Sequence, residues 1–524
     1  MIIRLQLLQM VLRSMWFSML NFIDSLTNKI TMYRLMIYYL VALIIVAIGL
    51  SMFGDLQYKS YDIAISTLIL VFSCWIINKI FANFFSAPTN SESSIITGLI
   101  LALIITPNPT GYGIMFLLAA SGLAIASKYL LTINRKHIFN PAAIAVVLTA
   151  IGPKQSATWW VGTAVMLPFV LIGGILIIRK IHKTKMILSF FISTTLATIV
   201  YSIISKAGVM SNLHNLIFSS SMFFLGFVML TEPATSPTTS KKQTWYSMLV
   251  GVLLPPQVHI FSYYSSPEIA LIIGNLFSYL VSPKTKLFPV LIDKIKIATS
   301  SVEFAFNPKQ KLAYLPGQYM EWTLPHQKAD GRGSRRYFTL ASSPTESDIK
   351  IGVKFFEKGS SFKNALLDMN RYTPIVASQV SGDFVLPKNP KKRLVFIAGG
   401  IGITPYRSMI KYLLDTEQKR EITLLYSAMN KGDFAYKDIF EEARNKIGLN
   451  TVYFATDEDL TSSKNEHMRF QFIDAEVIRT EVSNYKDCFF YVSGTPGMVK
   501  AMHEALSKLG VPIHQIKLDY FPGY

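Results

Sequence analysis

The decapeptide Arg335-Arg336-Tyr337-Phe338-Thr339-Leu340-Ala341-Ser342-Ser343-Pro344 sets a guanidinium, an aromatic ring and a hydroxyl in close succession before a run of small residues. A guanidinium can grip a pyrophosphate in a two-pronged contact. A ring can cover part of an isoalloxazine, and a hydroxyl can hydrogen-bond its N5 edge. The chemistry these side chains suggest is that of a bound flavin. Residues downstream would deliver hydride to it, and residues upstream would take electrons away.

Two later stretches fit the same chemistry. Lys358-Gly359-Ser360-Ser361-Phe362 follows an expected strand and opens a helix. Backbone N–H groups at such a start can meet a phosphate, although a plain N-cap would be written with the same letters. From Arg393 the pattern becomes an alternation of strands and helices. Residues 394–398 read as a buried strand, and Gly399-Gly400-Ile401-Gly402-Ile403-Thr404-Pro405 is the turn behind it. Glycines there let a dinucleotide approach the backbone at the carboxyl end of a parallel strand. Further strands are expected over 421–426, 450–455 and 487–492. The last runs into Ser493-Gly494-Thr495-Pro496, and the chain closes on Asp519-Tyr520-Phe521-Pro522-Gly523-Tyr524. Upstream, alternating segments from about residue 287 to 389 predict a small β-barrel.

The elements that must position these groups are unevenly composed. The chain has 524 residues, is 51% hydrophobic and carries a net charge of +19, with a mean hydropathy of +0.36. The apolar excess lies before about residue 282 and the charge crowds after it, so a membrane domain precedes a soluble one. No basic helix or basic-aromatic stripe accompanies the positive charge, which argues against nucleic acid and for loops facing the cytoplasm. Cys74 and Cys488 are the only cysteines. Neither a four-thiolate iron–sulfur cluster nor a disulfide framework can be built from two.

Residues 1–30 predict an amphipathic interfacial helix. Apolar spans follow near 35–53, 61–85, 92–106, 112–131, 138–152, 157–178, 186–205, 214–230, 244–258 and 267–282, about ten in all, several at the length a bilayer requires and others shorter. The short ones adjoin proline, at Pro88, Pro107, Pro109, Pro141, Pro255 and Pro256. Short, proline-broken spans in both halves predict an inverted repeat with about five spans in each copy. Lys and Arg collect in alternate loops, at 128–136, 179–185, 241–242 and 284–286, which predicts both termini on the cytoplasmic side of a multi-pass inner-membrane protein. His137, His182, His214 and His259 lie near span ends or in loops, so no facing pair is expected for haem. Glu92 and Glu232 stand beside apolar spans, where an ionisable group suggests proton or cation coupling or equally the capping of a helix N-terminus.

Four signatures carry a resemblance: Tyr33 to Tyr39, Ala87-Pro88-Thr89-Asn90-Ser91-Glu92-Ser93, Asn134 to Pro141, and Thr231-Glu232-Pro233-Ala234-Thr235-Ser236-Pro237. Over roughly residues 30–282 they resemble the D-type membrane subunit of Rnf electron-transport complexes and the related B-type subunit of the sodium-pumping NADH:quinone reductase. The resemblance implies two inverted five-helix repeats that carry flavin. The Ser/Thr-Gly-Ala-Thr motif that takes FMN covalently in those proteins is absent, so a membrane flavin, FMN or riboflavin, is expected to be held non-covalently.

Residues from about 290 to 524 are similar to the ferredoxin–NADP reductase superfamily, with its motifs in order. That resemblance implies an FAD domain over 287–389 and an NAD(P) domain over 390–524, behind a membrane electron-transfer domain over 31–283. It implies that Arg336 binds the FAD pyrophosphate, Phe338 stacks on the flavin and Thr339 contacts its N5 side, with Tyr337 beside them. Gly359, Ser360 and Ser361 would meet FAD phosphate. Gly399, Gly400, Gly402, Thr404 and Pro405 would hold the nicotinamide nucleotide, with Ser493 and Gly494 near its ring, and Phe521 or Tyr524 would shield the flavin face. Thr339 and Ser493 are the residues placed nearest the hydride transfer. Many members have Cys where Ser493 stands, and hydride transfer needs no acid–base group there. After the second strand Tyr426-Ser427-Ala428-Met429-Asn430 offers no Arg for a 2′-phosphate, which points to NADH over NADPH.

The expectation is a fused membrane oxidoreductase. It takes hydride from NAD(P)H onto FAD and passes electrons to a membrane-domain flavin, a quinone or an extracytoplasmic redox partner. An ion or small-solute transporter regulated by an attached reductase is the second reading.

Overall fold

The computed structural model describes residues 23, 27, 30–85, 91–152, 154–260, 263–282, 284–327, 329–357, 359–456 and 468–521. The interfacial helix expected over 1–30, the Ala87–Asn90 signature, Lys358 and Tyr524 lie wholly or largely outside them. The chain divides into two compact units, one of residues 1–286 with 331–333, the other of 287–330 with 334–524.

The first unit is helical. Among the described residues four helices are long and apolar enough to cross a membrane: α1 (Met32–Met52), α2 (Ser60–Phe84), α4 (Tyr112–Leu130) and α7 (Thr184–Ile204). Between and after them come shorter helices, the apolar α3 (Ser91–Ile104), α5 (Pro141–Ile151) and α11 (Pro267–Val281), with α6 (Leu167–Ile181) and α10 (Ser240–Leu253). A bent pair, α8 (Val209–Phe218) and α9 (Met222–Met229), meets at 55°. The local chemistry explains the shortening. Asn140 caps α5 by accepting from the Ala143 N–H, with Pro141 at the first helical position, and Ser266 with Pro267 does the same for α11. The expected span 157–178 opens on a short 3-10 turn, Trp160–Gly162, and continues as a helix only from Leu167, with Pro168 in its first turn.

Exposed apolar side chains line the outside of these helices, among them Ile45, Leu68, Phe72, Ile172 and Ile192, a surface that lipid would cover. The helices pack in a repeated pattern. α2 packs on α3 and α4, and α4 on α5; in the same manner α7 packs on α8 and α10, and α10 on α11. The corresponding elements α1 and α6, and α5 and α11, touch each other. Small residues permit the closest crossings. A Cβ on Gly98 of α3 would stand 2.7 Å from the Val71 Cα of α2, so Gly98→Ala must push these helices apart. It is expected to cost about 1–3 kcal/mol, read as a lower melting temperature in detergent.

The second unit begins with antiparallel strands. β1 (Val290–Ala298), β2 (Ser301–Asn307) and β5 (Ile349–Lys354) form one sheet, in the order β5–β2–β1. β3 (Tyr319–Thr323), β4 (Arg335–Thr339) and β6 (Val376–Ser381) lie side by side in another, in the order β6–β3–β4. Among the described residues hydrogen bonding thus gives two sheets and not one closed ring. They share a core that includes Phe304, Phe306, Met320, Trp322, Leu340 and Ile351. A short helix, α12 (Ser361–Asp368), follows β5. The rest is a parallel sheet of six strands: β7 (Leu394–Gly399), β8 (Ile422–Ala428), β9 (Asn450–Ala455), β10 (Met468–Arg469), β11 (Phe489–Gly494) and β12 (Ile516–Tyr520). Its order, β10–β9–β8–β7–β11–β12, reverses between β7 and β11. That is the switch point where open α/β sheets bind ligands.

Candidate functional site

Strand β4 sets the decapeptide's side chains by its pairing with β3, in which Trp322 faces Arg336 and Tyr319 faces Thr339. Arg336 is 4% exposed. Its Nη1 donates to the Arg335 carbonyl at 2.7 Å, and its guanidinium lies 5.2 Å from the centre of the Phe362 ring. Tyr337 points to the other face, donates to Glu321 Oε2 at 2.9 Å and is 43% exposed. Phe338 packs against Phe362. Ser360 is the N-cap of α12, accepting from the Lys363 N–H at 3.4 Å.

One carboxylate joins these groups. Asp330 Oδ1 stands 3.6 Å from Arg336 Nη2, and Asp330 Oδ2 accepts the Ser361 N–H at 3.1 Å. The guanidinium and the start of α12, distant in sequence, therefore converge on one anion, which here belongs to the chain itself. The donor set fits a pyrophosphate.

The glycine turn lies at the carboxyl end of β7. Gly400 has φ +53°, and a Cβ on Gly402 would stand 2.5 Å from the Ser493 carbonyl oxygen. The turn and the start of Ser493-Gly494 are thus in contact, as neighbours across the β7–β11 pair. Ser493 Oγ is buried with no hydrogen-bond partner among the described residues. Such an orphaned hydroxyl asks for an explanation, and a ligand amide is one. Thr404 starts the next helix, α13 (Thr404–Asp415), and donates back to the Ile401 carbonyl at 3.2 Å, with Pro405 in the first turn. The Phe521 N–H donates to the Gly494 carbonyl at 2.9 Å, which ties the aromatic tail to the same strand end.

Residues without a motif hold the end of β4 and the glycine turn together. Arg407 of α13 makes paired hydrogen bonds to Glu346, one at 3.0 Å, and donates to the Ala341 carbonyl at 3.1 Å. Ser408 donates to the Ser342 carbonyl at 2.6 Å. Burial alone would raise the Glu346 carboxyl, yet Arg407 holds it below the usual carboxylate range. The small-residue run after β4 is thereby fixed by the helix behind the glycine turn.

Asp519 is legible in the sequence only as one residue of the tail. It sits beside Ser493 in the β11–β12 register, within the electrostatic reach of Tyr319 and Tyr406, and burial pushes its carboxyl up to about 7. Because the folded form holds the proton more tightly than the unfolded one, the stability is full below about pH 4 and is lost as pH rises towards 7. Asp519→Asn is expected to remove that slope and to raise stability at pH 8 by up to about 2 kcal/mol, allowing for partial exposure. Melting temperatures of both proteins at pH 5 and pH 8 check it.

In the first unit two loops singled out in the sequence meet. Asn140 donates to Glu232 Oε2 at 2.9 Å, Thr235 donates to the same oxygen at 3.0 Å, and His137 Nε2 is 3.8 Å from Oε1. Lys284 donates to the carbonyls of Pro233, Ala234 and Ser236, which pins the second loop. Glu92 pairs with Arg34 at 2.8 Å. A cavity of about 60 Å³ opens here, with Tyr33, Ser93, Thr97, Asn140, Thr231 and Glu232 in its lining. It lies where the N-terminal ends of the short helices α3 and α5 meet the end of a π-helical stretch, Leu225–Met229. Irregular helices that meet at a cavity are a common plan for ligand sites in membrane proteins.

Residues 159–286 match the family model described as NQR2, RnfD, RnfE family, and residues 396–504 match the one described as Oxidoreductase NAD-binding domain. Flavohemoprotein A of Dictyostelium discoideum is 28% identical over 242 residues, 44% of this chain and 58% of that protein. The flavohemoprotein of Bacillus subtilis is 30% identical over 189 residues, 36% of this chain and 46% of that protein. The chain thus spans less than two thirds of the length of these curated relatives. The flavohem-like FAD/NAD-binding domain of nitric oxide dioxygenase from Vibrio cholerae overlaps 45% of this chain and 98% of its own, at 21% identity and a TM-score of 0.39. The protein joins, in one chain, a segment that matches the NQR2, RnfD, RnfE family model to one that matches the oxidoreductase NAD-binding domain model.

Proposed function

We propose that the protein is a membrane-bound flavin oxidoreductase that takes electrons from NADH or NADPH through FAD and passes them to a further acceptor. The observation that carries this reading is the convergence of Arg336 and the Ser361 N–H on one anion position, in the unit whose glycine turn matches a nucleotide-binding family.

Bound FAD would supply the chemistry, accepting hydride and releasing electrons singly. Arg336, Ser360 and Ser361, with Gly359, hold its phosphates; Phe338 and Thr339 face the ring, and Tyr337 flanks it. Gly399, Gly400, Gly402, Thr404 and Pro405 take the nicotinamide nucleotide, and Ser493 Oγ and Gly494 orient its ring. Phe521 or Tyr524 covers the flavin until that nucleotide arrives. Arg407 and Glu346 keep the flavin strand and the nucleotide turn in register, which is what hydride transfer demands of a protein.

The first unit receives the electrons. The duplicated packing of α1–α5 and α6–α11 supports two inverted five-helix repeats crossing the membrane about ten times, with loop charge placing both termini in the cytoplasm. A second, non-covalent flavin or a quinone head group would enter beside Glu232 only if the cavity there, about 60 Å³, widened on binding. The domain limits read from the sequence, 31–283, 287–389 and 390–524, belong to this proposal.

Flavin analysis of the purified chain tests it. The expected material is yellow, releases FAD in acid and bleaches with NADH more readily than with NADPH. Colourless protein, or flavin that neither nucleotide bleaches, would overturn the reading. A second acid-released flavin, and reduction of an acceptor sealed inside or outside proteoliposomes, identify where the electrons go. Uptake of a cation without NADH would favour the transporter instead.

A further inference from the structure

The Asp330 carboxylate stands between the two groups assigned to the FAD pyrophosphate. One oxygen is 3.6 Å from Arg336 Nη2, and the other accepts from the Ser361 N–H at 3.1 Å. The contact is reciprocal, since the Asp330 N–H donates to Ser361 Oγ at 2.9 Å. Ser361 Oγ also lies 3.0 Å from His326 Nε2. The arginine side chain is 3% exposed and the aspartate 27%, so the carboxylate sits at the mouth of a buried guanidinium. A doubly charged pyrophosphate cannot share these donors with a carboxylate at that separation, because the like charges repel.

We propose that Asp330 is an internal stand-in for the FAD pyrophosphate: it satisfies Arg336 and the start of α12 in the flavin-free chain, and FAD binds by displacing it. This rests on the assignment of the FAD phosphates to Arg336 and Ser361. The aspartate stabilises the empty site, keeps adventitious phosphate out and sets a threshold that FAD must exceed. It weakens FAD binding, although it lies among the residues that bind it.

The test uses the full-length chain in detergent, freed of flavin and titrated with FAD and with riboflavin, which has no phosphate. Asp330→Asn is expected to lower the Kd for FAD by about tenfold or more, a gain of the size that removal of one facing charge produces, and to leave riboflavin affinity unchanged. Asp330→Ala is expected to move in the same direction. The flavin-free variants are expected to melt at lower temperature than the flavin-free wild type, and FAD to raise their melting temperature by more. FAD affinity that is unchanged or weaker in both variants overturns the inference, as does an equal gain for riboflavin. Wild-type FAD binding that falls with Arg336→Ala but ignores both Asp330 variants overturns this inference alone. A wild-type chain that takes up no FAD overturns the flavin reading and this inference with it.

Discussion

Arg336→Ala is expected to purify with little or no FAD, and to need more than about a hundredfold higher FAD for half-saturation than the wild type. The side chain is almost wholly buried and its guanidinium is already directed at an anion. Hydrogen bonds from a charged donor contribute about 1.5–3 kcal/mol each, and two of them lost together correspond to at least that factor. The substitution also removes the guanidinium that faces Asp330 while the carboxylate stays at the site, so the position assigned to a pyrophosphate becomes repulsive. Arg336→Lys separates the two effects. It keeps the charge and loses the planar fork, so its affinity should fall between the others. Equilibrium titration with FAD, followed by flavin fluorescence, reads all three. Because Arg336 sits on a strand at the edge of the first sheets, the parallel sheet should stay folded, and NAD(P)H binding to the flavin-free protein should persist. FAD binding that survives Arg336→Ala at wild-type strength would remove the basis for the cofactor assignment.

The readings that succeed rest on local signals. β7 extends over Leu394–Gly399, against an expected 394–398, because an apolar β-branched run next to a glycine cluster has few other solutions. The Gly359-Ser360-Ser361 helix start is legible for a similar reason: Ser360 is a plain N-cap. Pairings made only in three dimensions are not legible in this way. Asp330 lies in a Gly-rich loop six residues before Arg336, and nothing in its neighbours announces that it folds back on it. Arg407 and Glu346 are 61 residues apart, and each resembles an ordinary surface charge until the fold buries their contact. Asp519 is one acidic residue in a tail until β12 sets it beside Ser493.

The membrane half shows the opposite limit. Hydropathy finds apolar windows but not their continuity. Capped starts at Asn140 and Ser266, and the turn at Ser219-Ser220-Ser221 that divides the bent pair, leave four long helices among the described residues where about ten windows of spanning character are expected. The meeting of Asn140 with Glu232, by contrast, joins two loops that the sequence itself marks. Their unusual density of Pro, Thr and Asn sets them apart from the polar loops around them.

Gly402→Ala is expected to be the most damaging change of a single methyl group in the nucleotide turn. Three glycines stand there, and the structure gives each a different reason. At Gly399 a Cβ would meet Met498 Sδ at 2.1 Å, the far end of a flexible side chain that can swing away. At Gly400 the φ of +53° is the left-handed region, but a Cβ would meet nothing within 4 Å; alanine there carries only the conformational cost of about 1–2 kcal/mol. At Gly402 the neighbours are backbone: the Ser493 carbonyl oxygen at 2.5 Å, its carbon at 2.7 Å and the Gly494 Cα at 2.8 Å. Those atoms belong to β11, which is hydrogen-bonded on both sides, to β7 and to β12. The strand cannot retreat without breaking its ladder, so the turn must move instead, and overpacking of this kind costs about 1–3 kcal/mol or more. A displaced turn also carries Thr404 and the start of α13 away from Ser493, which is where the nicotinamide ring would be oriented. Gly402→Ala should therefore retain FAD at the wild-type level while the rate of flavin bleaching by NADH falls at least about tenfold, a misplacement effect on positioning. Gly399→Ala should stay within about threefold of wild type, since its only obstacle is a mobile thioether. Stopped-flow reduction of the three variants beside the wild type gives the order directly. Equal rates for Gly399→Ala and Gly402→Ala would mean that the approach of the turn to Ser493 does not govern hydride transfer.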